Sequence, residues 1–124
     1  MKKIALDANF LIDCFKFKIN FLEELNEKIG KYELFVPTSV MKELGEIAKS
    51  RGRSASYAKI ALRSLKEQRI RTTKSIREKA DEELKRLGIA GFVVATNDRE
   101  LRKELKNLGI KTIYLRARKR LEID

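Results

Sequence analysis

Histidine and tryptophan are absent from this 124-residue chain, and cysteine and proline occur once each. Each absence removes a chemistry. Without histidine there is no Ser-His-Asp or Cys-His pair, no imidazole base and no histidine-held zinc. One cysteine makes neither an internal disulfide nor a cysteine-rich zinc knuckle. Cys14 stands among apolar residues with no base near it in sequence, so it reads as packing rather than as a nucleophile. No apolar run approaches the ~20 residues of a membrane span. Met1-Lys2-Lys3 leads straight into a strand-like run without the long apolar region of a signal peptide, and a reducing cytoplasm is the expected location. Aromatic residues make up 7% of the chain, too few for recognition dominated by base stacking, and Tyr57, Tyr114 and the phenylalanines read as core or rim. Enzymatic work is left to carboxylates, hydroxyls, lysine, arginine or a metal held by oxygen.

What the chain does have is positive charge. Lys and Arg number 29 against 18 Asp and Glu, a net +11, while 43% hydrophobic content supports one globular core despite 38% charged residues. The distribution is uneven. Residues 49–77 hold ten Lys/Arg and one acid, Glu67, a net +9; residues 111–120 hold five basic residues and no acid. A heat-adapted surface would interleave both signs in ion-pair networks. A one-sign block instead points to an anionic partner, nucleic acid first and an acidic protein second, held through backbone phosphates.

Hydrophobic patterning sets out the elements. Residues 3–6 form a short apolar strand ending at Asp7, followed by a short helix over 9–15. A second helix spans 19–29, with Gly30 just past its end. Residues 32–36 read as a strand stopped by Pro37, and Thr38 or Ser39 caps a helix over 39–50. A basic linker leads to a helix over 54–68 with Tyr57, Ile60, Ala61 and Leu65 inward. Residues 69–73 make a brief strand. Ser75 and Glu78 have capping-box spacing for a helix running to Leu87. Phe92-Val93-Val94-Ala95 is a continuous apolar strand. Thr96-Asn97-Asp98 opens a helix to Leu108 with Leu101, Leu105 and Leu108 inward, and 112–115 is the last strand. Apolar strands alternating with helices predict an α/β fold with a mainly parallel sheet covered on both faces. One domain over 1–117 is expected, followed by a basic, then mixed, tail over 118–124.

In open α/β sheets, sites form beyond the carboxyl ends of strands. Asp7 and Asp98 stand there, although either could simply cap the helix that follows. Glu43 lies roughly 60° from the centre of its helix's apolar arc, against roughly 120° for Glu46, which places it at the core boundary. In the cluster Asp81-Glu82-Glu83, Asp81 and Glu83 flank the apolar stripe on opposite sides and Glu82 points away, so periodicity does not choose among them. Carboxylates brought close together raise one another's pKa unless a cation neutralises them. Mg²⁺ or Mn²⁺ binds such oxygen ligands, activates water without histidine, and offsets charge on an attacked phosphodiester.

On these residues the chain resembles the PIN domain family. The segments are Ile4-Ala5-Leu6-Asp7-Ala8-Asn9-Phe10-Leu11-Ile12, Val36-Pro37-Thr38-Ser39-Val40-Met41-Lys42-Glu43-Leu44, Ala80-Asp81-Glu82-Glu83-Leu84, Val94-Ala95-Thr96-Asn97-Asp98-Arg99-Glu100-Leu101 and Ile113-Tyr114-Leu115-Arg116. They recur in order from residue 3 to 117. The chain is similar to small archaeal PIN proteins, to PIN proteins of ribosomal RNA processing and, more distantly, to VapC-type toxin ribonucleases. The resemblance implies a Rossmann-like three-layer α/β/α sandwich and Mg²⁺- or Mn²⁺-dependent RNA hydrolysis. It carries the four acids onto Asp7, Glu43, Asp81 and Asp98, as catalytic residues and metal ligands. It makes Asn9, Thr96 and Asn97 their polar support. Arg51, Arg53, Lys59, Arg63 and Arg99 are the expected phosphate contacts. RNA is the expected partner, with a homodimer by family habit and an antitoxin if the role is toxin-like. Ala8, where the family usually has a hydroxyl residue, and the short segment between Asp81 and Asp98 motivate a second reading: an RNA-binding assembly factor on the same scaffold, without catalysis. Phosphoryl transfer through an aspartyl intermediate at Asp7 is a third, opposed by Asn9 where a second acid is usual.

Overall fold

The structure is a computed structural model that describes residues 1–75 and 78–124. Strands and helices alternate along it: β1 Lys2–Leu6, α1 Ala8–Lys16, α2 Phe21–Lys28, β2 Tyr32–Pro37, α3 Thr38–Lys49, α4 Arg53–Glu67, β3 Arg71–Thr73, α5 Ala80–Ile89, β4 Val93–Ala95, α6 Arg99–Asn107, β5 Thr112–Arg116 and β6 Arg120–Ile123. The strands form one sheet in the order β3-β2-β1-β4-β5-β6. All pairs are parallel except β5 with β6. This is the expected α/β architecture with a mainly parallel sheet.

The central strands are apolar because helices cover both faces of them. Ile4, Ala5, Leu6 and Val94 are fully buried. The strands step one way from β1 through β2 to β3 and the other way through β4 to β5, so the right-handed crossover rule assigns α1 to α4 to one face and α5 and α6 to the other. On the first face α3 and α4 pack on each other and on α1, and on the second α5 contacts β4 and α6. Asp7 caps α1 through a bond from the Ala8 amide, and Asp98 caps α6 through bonds from the Glu100 and Leu101 amides. Gly30, at φ 81°, follows the end of α2 in the left-handed region that favours glycine.

Several expectations are corrected. Residues 120–123 are not a tail but β6, an edge strand whose Leu121 is fully buried opposite Leu115. The backbone amide of Leu121 also donates to the Glu24 carboxylate of α2 at 2.9 Å. A burst of Lys and Arg hid one apolar residue that the sheet needed. Ile60 is 45% exposed; α4 meets α1 and α3 through Ala55, Ala58, Ala61 and Leu65, and Ile60 lies about 200° round the helix from Ala58. Leu108 is 55% exposed because α6 ends before it. α3 starts at Thr38 with Pro37 in the cap position and no side-chain cap. α5 starts at Ala80, so Ser75 does not open it; Ile76 and Arg77, between Ser75 and Glu78 of the expected capping box, lie outside the described residues.

A candidate acidic active site where the strand order reverses

β1 is paired with β2 on one side and β4 on the other, with Leu6 opposite Ala95. The chain winds outward in both directions from this pair. Crevices at such reversals, beyond the carboxyl ends of the strands, are where α/β sheets hold ligands. Asp7 directly follows β1, and Thr96, Asn97 and Asp98 directly follow β4.

Asp7 is only 4% exposed. Its Oδ1 accepts from the Ala8 amide at 2.8 Å and its Oδ2 from the Thr96 hydroxyl at 2.6 Å. Burial nevertheless pushes its pKa up to about 6; the bonds from Thr96 and Ala8 oppose the rise, and the charges of Glu43 and Asp81 add to it. The three residues expected to support the acids all form hydrogen bonds around the strand ends, and Thr96 alone among them bonds an expected acid through its side chain. Thr96 Oγ1 accepts from the Asp98 amide at 3.2 Å while donating to Asp7, so one hydroxyl ties the two strand ends together. Asn9 Oδ1 accepts from the Asn97 amide at 3.1 Å. Asn97 clips α1 to β5: its Nδ2 donates to Asp13 at 2.9 Å and its Oδ1 accepts from the Leu115 amide at 2.8 Å.

Glu43 on α3 and Asp81 in the first turn of α5 are exposed. Partial desolvation raises both pKa values, and the repulsions form a chain: Glu43 is raised further by Asp81, and Asp81 by Asp98. Lys85 opposes the shift at Asp81 and is itself ion-paired to Glu104, linking α5 to α6. The acids are thus linked by repulsion in a chain beside the β1/β4 ends, Asp7 with Glu43 and Asp81, Glu43 with Asp81, and Asp81 with Asp98. Among the described residues, however, no three acids stand close enough to ligate one ion as they are placed.

Glu83 plays a different part, which the sequence did not single out. It is a fully buried charged residue. Its carboxylate accepts from the Ser39 hydroxyl and the Ser75 hydroxyl at 2.5 Å each, and from the Thr73 hydroxyl at 3.3 Å. The Ser39 amide points to it at 3.4 Å and Arg86 at 3.5 Å. Burial raises its pKa, but the bonds from Ser39, Ser75 and Thr73 outweigh that and hold it below the ordinary value. Glu83 therefore supplies from α5 the anionic cap that the start of α3 lacks in its own sequence. That is why the Thr38 and Ser39 hydroxyls do not cap α3 themselves: Thr38 donates to Ser75 and Ser39 to Glu83.

The expected phosphate contacts divide. Arg99 is the first residue of α6, next to Asp98. Arg51, in the linker before α4, and Arg53, Lys59 and Arg63, on α4, are exposed. None of these four lines either of the two cavities that adjoin the acids. Cys14 is fully buried in the core, and burial raises its thiol pKa, in keeping with packing.

Fold and site together define a Rossmann-like α/β protein with an acidic crevice at its topological switch point. Residues 4–118 match the family described as PIN like domain. The chain is 34% identical over 131 residues to Ribonuclease VapC4 of Methanocaldococcus jannaschii, covering 99% of this chain and 97% of that protein. The structure superposes on the PIN domain endonuclease Utp24 with a TM-score of 0.82 at 23% identity, covering 98% of this chain and 90% of the other. A domain of a functionally unknown protein from Methanocaldococcus jannaschii also shares the fold, with a TM-score of 0.68 at 20% identity and coverage of 94% and 93%. The chain belongs to the PIN-like domain family.

Proposed function

We propose that this protein is a divalent-metal-dependent endoribonuclease that hydrolyses RNA phosphodiester bonds. One observation carries the reading: a buried aspartate, Asp7, is held at the strand-order reversal by Thr96 and Ala8, and its pKa is raised together with those of two further acids, Glu43 and Asp81. An all-carboxylate donor set without histidine or cysteine suits Mg²⁺ or Mn²⁺, and its mutual repulsion is what a bound cation would relieve. The similarity to a protein named as a ribonuclease supports the substrate class.

Asp7, Asp81 and Asp98 would hold the ion, with Glu43 as a further ligand or as the partner of the attacking water. When bound, the ion supplies charge neutralisation at the phosphodiester and activation of water. The chain's own residues supply order. Thr96 and the Ala8 amide occupy one lone pair on each Asp7 oxygen and so fix the carboxylate plane. Asp98 spends Oδ1 on the first turn of α6, and Oδ2 has no donor among the described residues. Asn9 and Asn97 hold the β1 and β4 ends in register. The basic surface retains the polyanion.

Purified protein with Mn²⁺ should cleave single-stranded or structured RNA, chelation should stop it, and Asp98→Asn should lose at least about a hundredfold in rate. Absence of product, or an Asp98→Asn variant that cuts like wild type, overturns the reading. The separation of the acids favours one alternative, an RNA-binding assembly factor without catalysis. Salt-sensitive RNA binding with no product under any divalent ion is its signature. Toxin and ribosomal RNA processing roles share this chemistry; an antitoxin encoded beside the gene, and binding to it, marks the first. A homodimer and a cytoplasmic location belong to the same proposal.

A further inference from the structure

A cleft of about 950 Å³ lies between the end of α1, one side of α6 and the β5–β6 turn. It begins at Asn97 and Arg99, the neighbours of Asp98. Helix α6 lines it with Arg99, Arg102 and Lys103, spaced i, i+3, i+4 on the side away from buried Leu101 and Leu105. Lys16 of α1 and Arg118 of the turn add two more cations. The acids in its wall are engaged: Asp13 accepts from Asn97 at 2.9 Å, and Asp124 pairs with Lys106 at 3.6 Å. Lys16, Arg99, Lys103 and Arg118 have no carboxylate partner among the described residues.

Two features show that this cleft is more than a charged surface. The Arg102 guanidinium lies 3.5 Å from the centroid of the Tyr114 ring, and its Nε is buried with no hydrogen-bond partner among the described residues. A buried donor left unpaired is costly unless an acceptor arrives from outside. The β5–β6 turn also holds Ala117 and Arg118 consecutively at φ 53° and 57°, left-handed backbone adopted here without glycine or asparagine. Such strain clusters at functional sites.

We propose that this cleft is the strand-guiding subsite for single-stranded RNA. Phosphates beside the scissile bond would lie on the α6 cations, and one unpaired base would lie against the Arg102–Tyr114 stack. The substrate class rests on the ribonuclease reading; the subsite itself rests on the cleft. A flat base suits a guanidinium stacked on an aryl ring, whereas an acidic peptide needs only the charges. A base held in a duplex cannot reach such a stack.

The test measures binding apart from catalysis. Anisotropy of a fluorescein-labelled 12-nucleotide single-stranded RNA is followed in EDTA, and the same RNA carrying 5-iodouridine is photocrosslinked to wild-type protein. Crosslinks should map to Tyr114. Tyr114→Leu and Arg118→Ala, the second on an exposed turn where folding is not at stake, should each weaken binding about three- to tenfold. Lys28→Ala, which removes one charge on α2, should leave binding unchanged. Crosslinks elsewhere, or Arg118→Ala and Tyr114→Leu binding like wild type, overturn the subsite. Equal competition by poly-glutamate, with Tyr114→Leu weakening both ligands alike, also overturns it in favour of an acidic protein. If the Tyr114 crosslink forms but Mn²⁺ yields no product, the ribonuclease reading falls and the subsite stands.

Discussion

Asp7 is a single residue whose burial sets a pH dependence on the stability of the whole chain. Its folded pKa of about 6 lies above the ordinary 3.8, so between those values the ion-free folded protein binds more protons than the unfolded chain. Stability must therefore fall as pH rises from about 4 to 6 and level off above. Asp7→Asn removes the buried charge. At pH 8 without divalent ions it should raise stability by about 1–3 kcal/mol and flatten the pH dependence between 4 and 6, while cleavage is lost. Urea midpoints across pH check this, and an unchanged or lowered midpoint at pH 8 would contradict it. Glu83 has the opposite sign: its depressed pKa contributes stability above the ordinary 4.5 that disappears as pH falls through the folded value. Asp7 and Asp98 were legible because an acid after an apolar strand stands out. Glu83 was not, because periodicity put Asp81 and Glu83 symmetrically about one stripe. Only the hydroxyls of Thr73, Ser75 and Ser39, brought in by β3, the loop after it and α3, separate them.

Among elements, β6 shows where patterning fails. Parallel strands in the middle of the sheet announce themselves as continuous apolar runs, and β1, β2 and β4 were placed to within a residue or so. An edge strand is half solvated and can be mostly charged, so Arg120-Leu121-Glu122-Ile123 carries little signal. Its contribution lies in Leu121, fully buried, and in the bond from its amide to Glu24. Leu121→Ala should cost about 2–4 kcal/mol, as for a core leucine. A cost near zero by urea denaturation would return the segment to a solvated tail. α5 makes a related point, since Gly88 does not end it: the helix continues to Ile89, and a Cβ at Gly88 would meet Ile110 at 2.8 Å.

Across the whole molecule, the net +11 is distributed over at least two surfaces. One is the exposed linker and α4, with Arg51, Arg53, Lys59 and Arg63. The other is the α6 cleft, whose lining includes Asn97 and Arg99 on either side of Asp98 in the chain. If five or so phosphates are neutralised along the cleft, the logarithm of RNA affinity should fall against the logarithm of salt with a slope of about −3 to −4. Arg118→Ala should make that slope shallower by about 0.7. Titrations at several salt concentrations read both, and a slope near zero would remove phosphate contact as the basis of binding.

Local chemistry was enough to exclude histidine and paired-cysteine chemistry, and to give the alternation of strands and helices and the two acids that follow β1 and β4. Those properties depend on residue type and on neighbours in the chain. Which carboxylate is buried as a helix cap and which faces the crevice, whether a charged terminus closes the sheet, and which cations stand beside Asp98 are different. They depend on contacts between residues as far apart as Asp7 and Thr96, or Glu24 and Leu121. Periodicity along one element carries no record of the partner it will meet, so tertiary packing alone decided them.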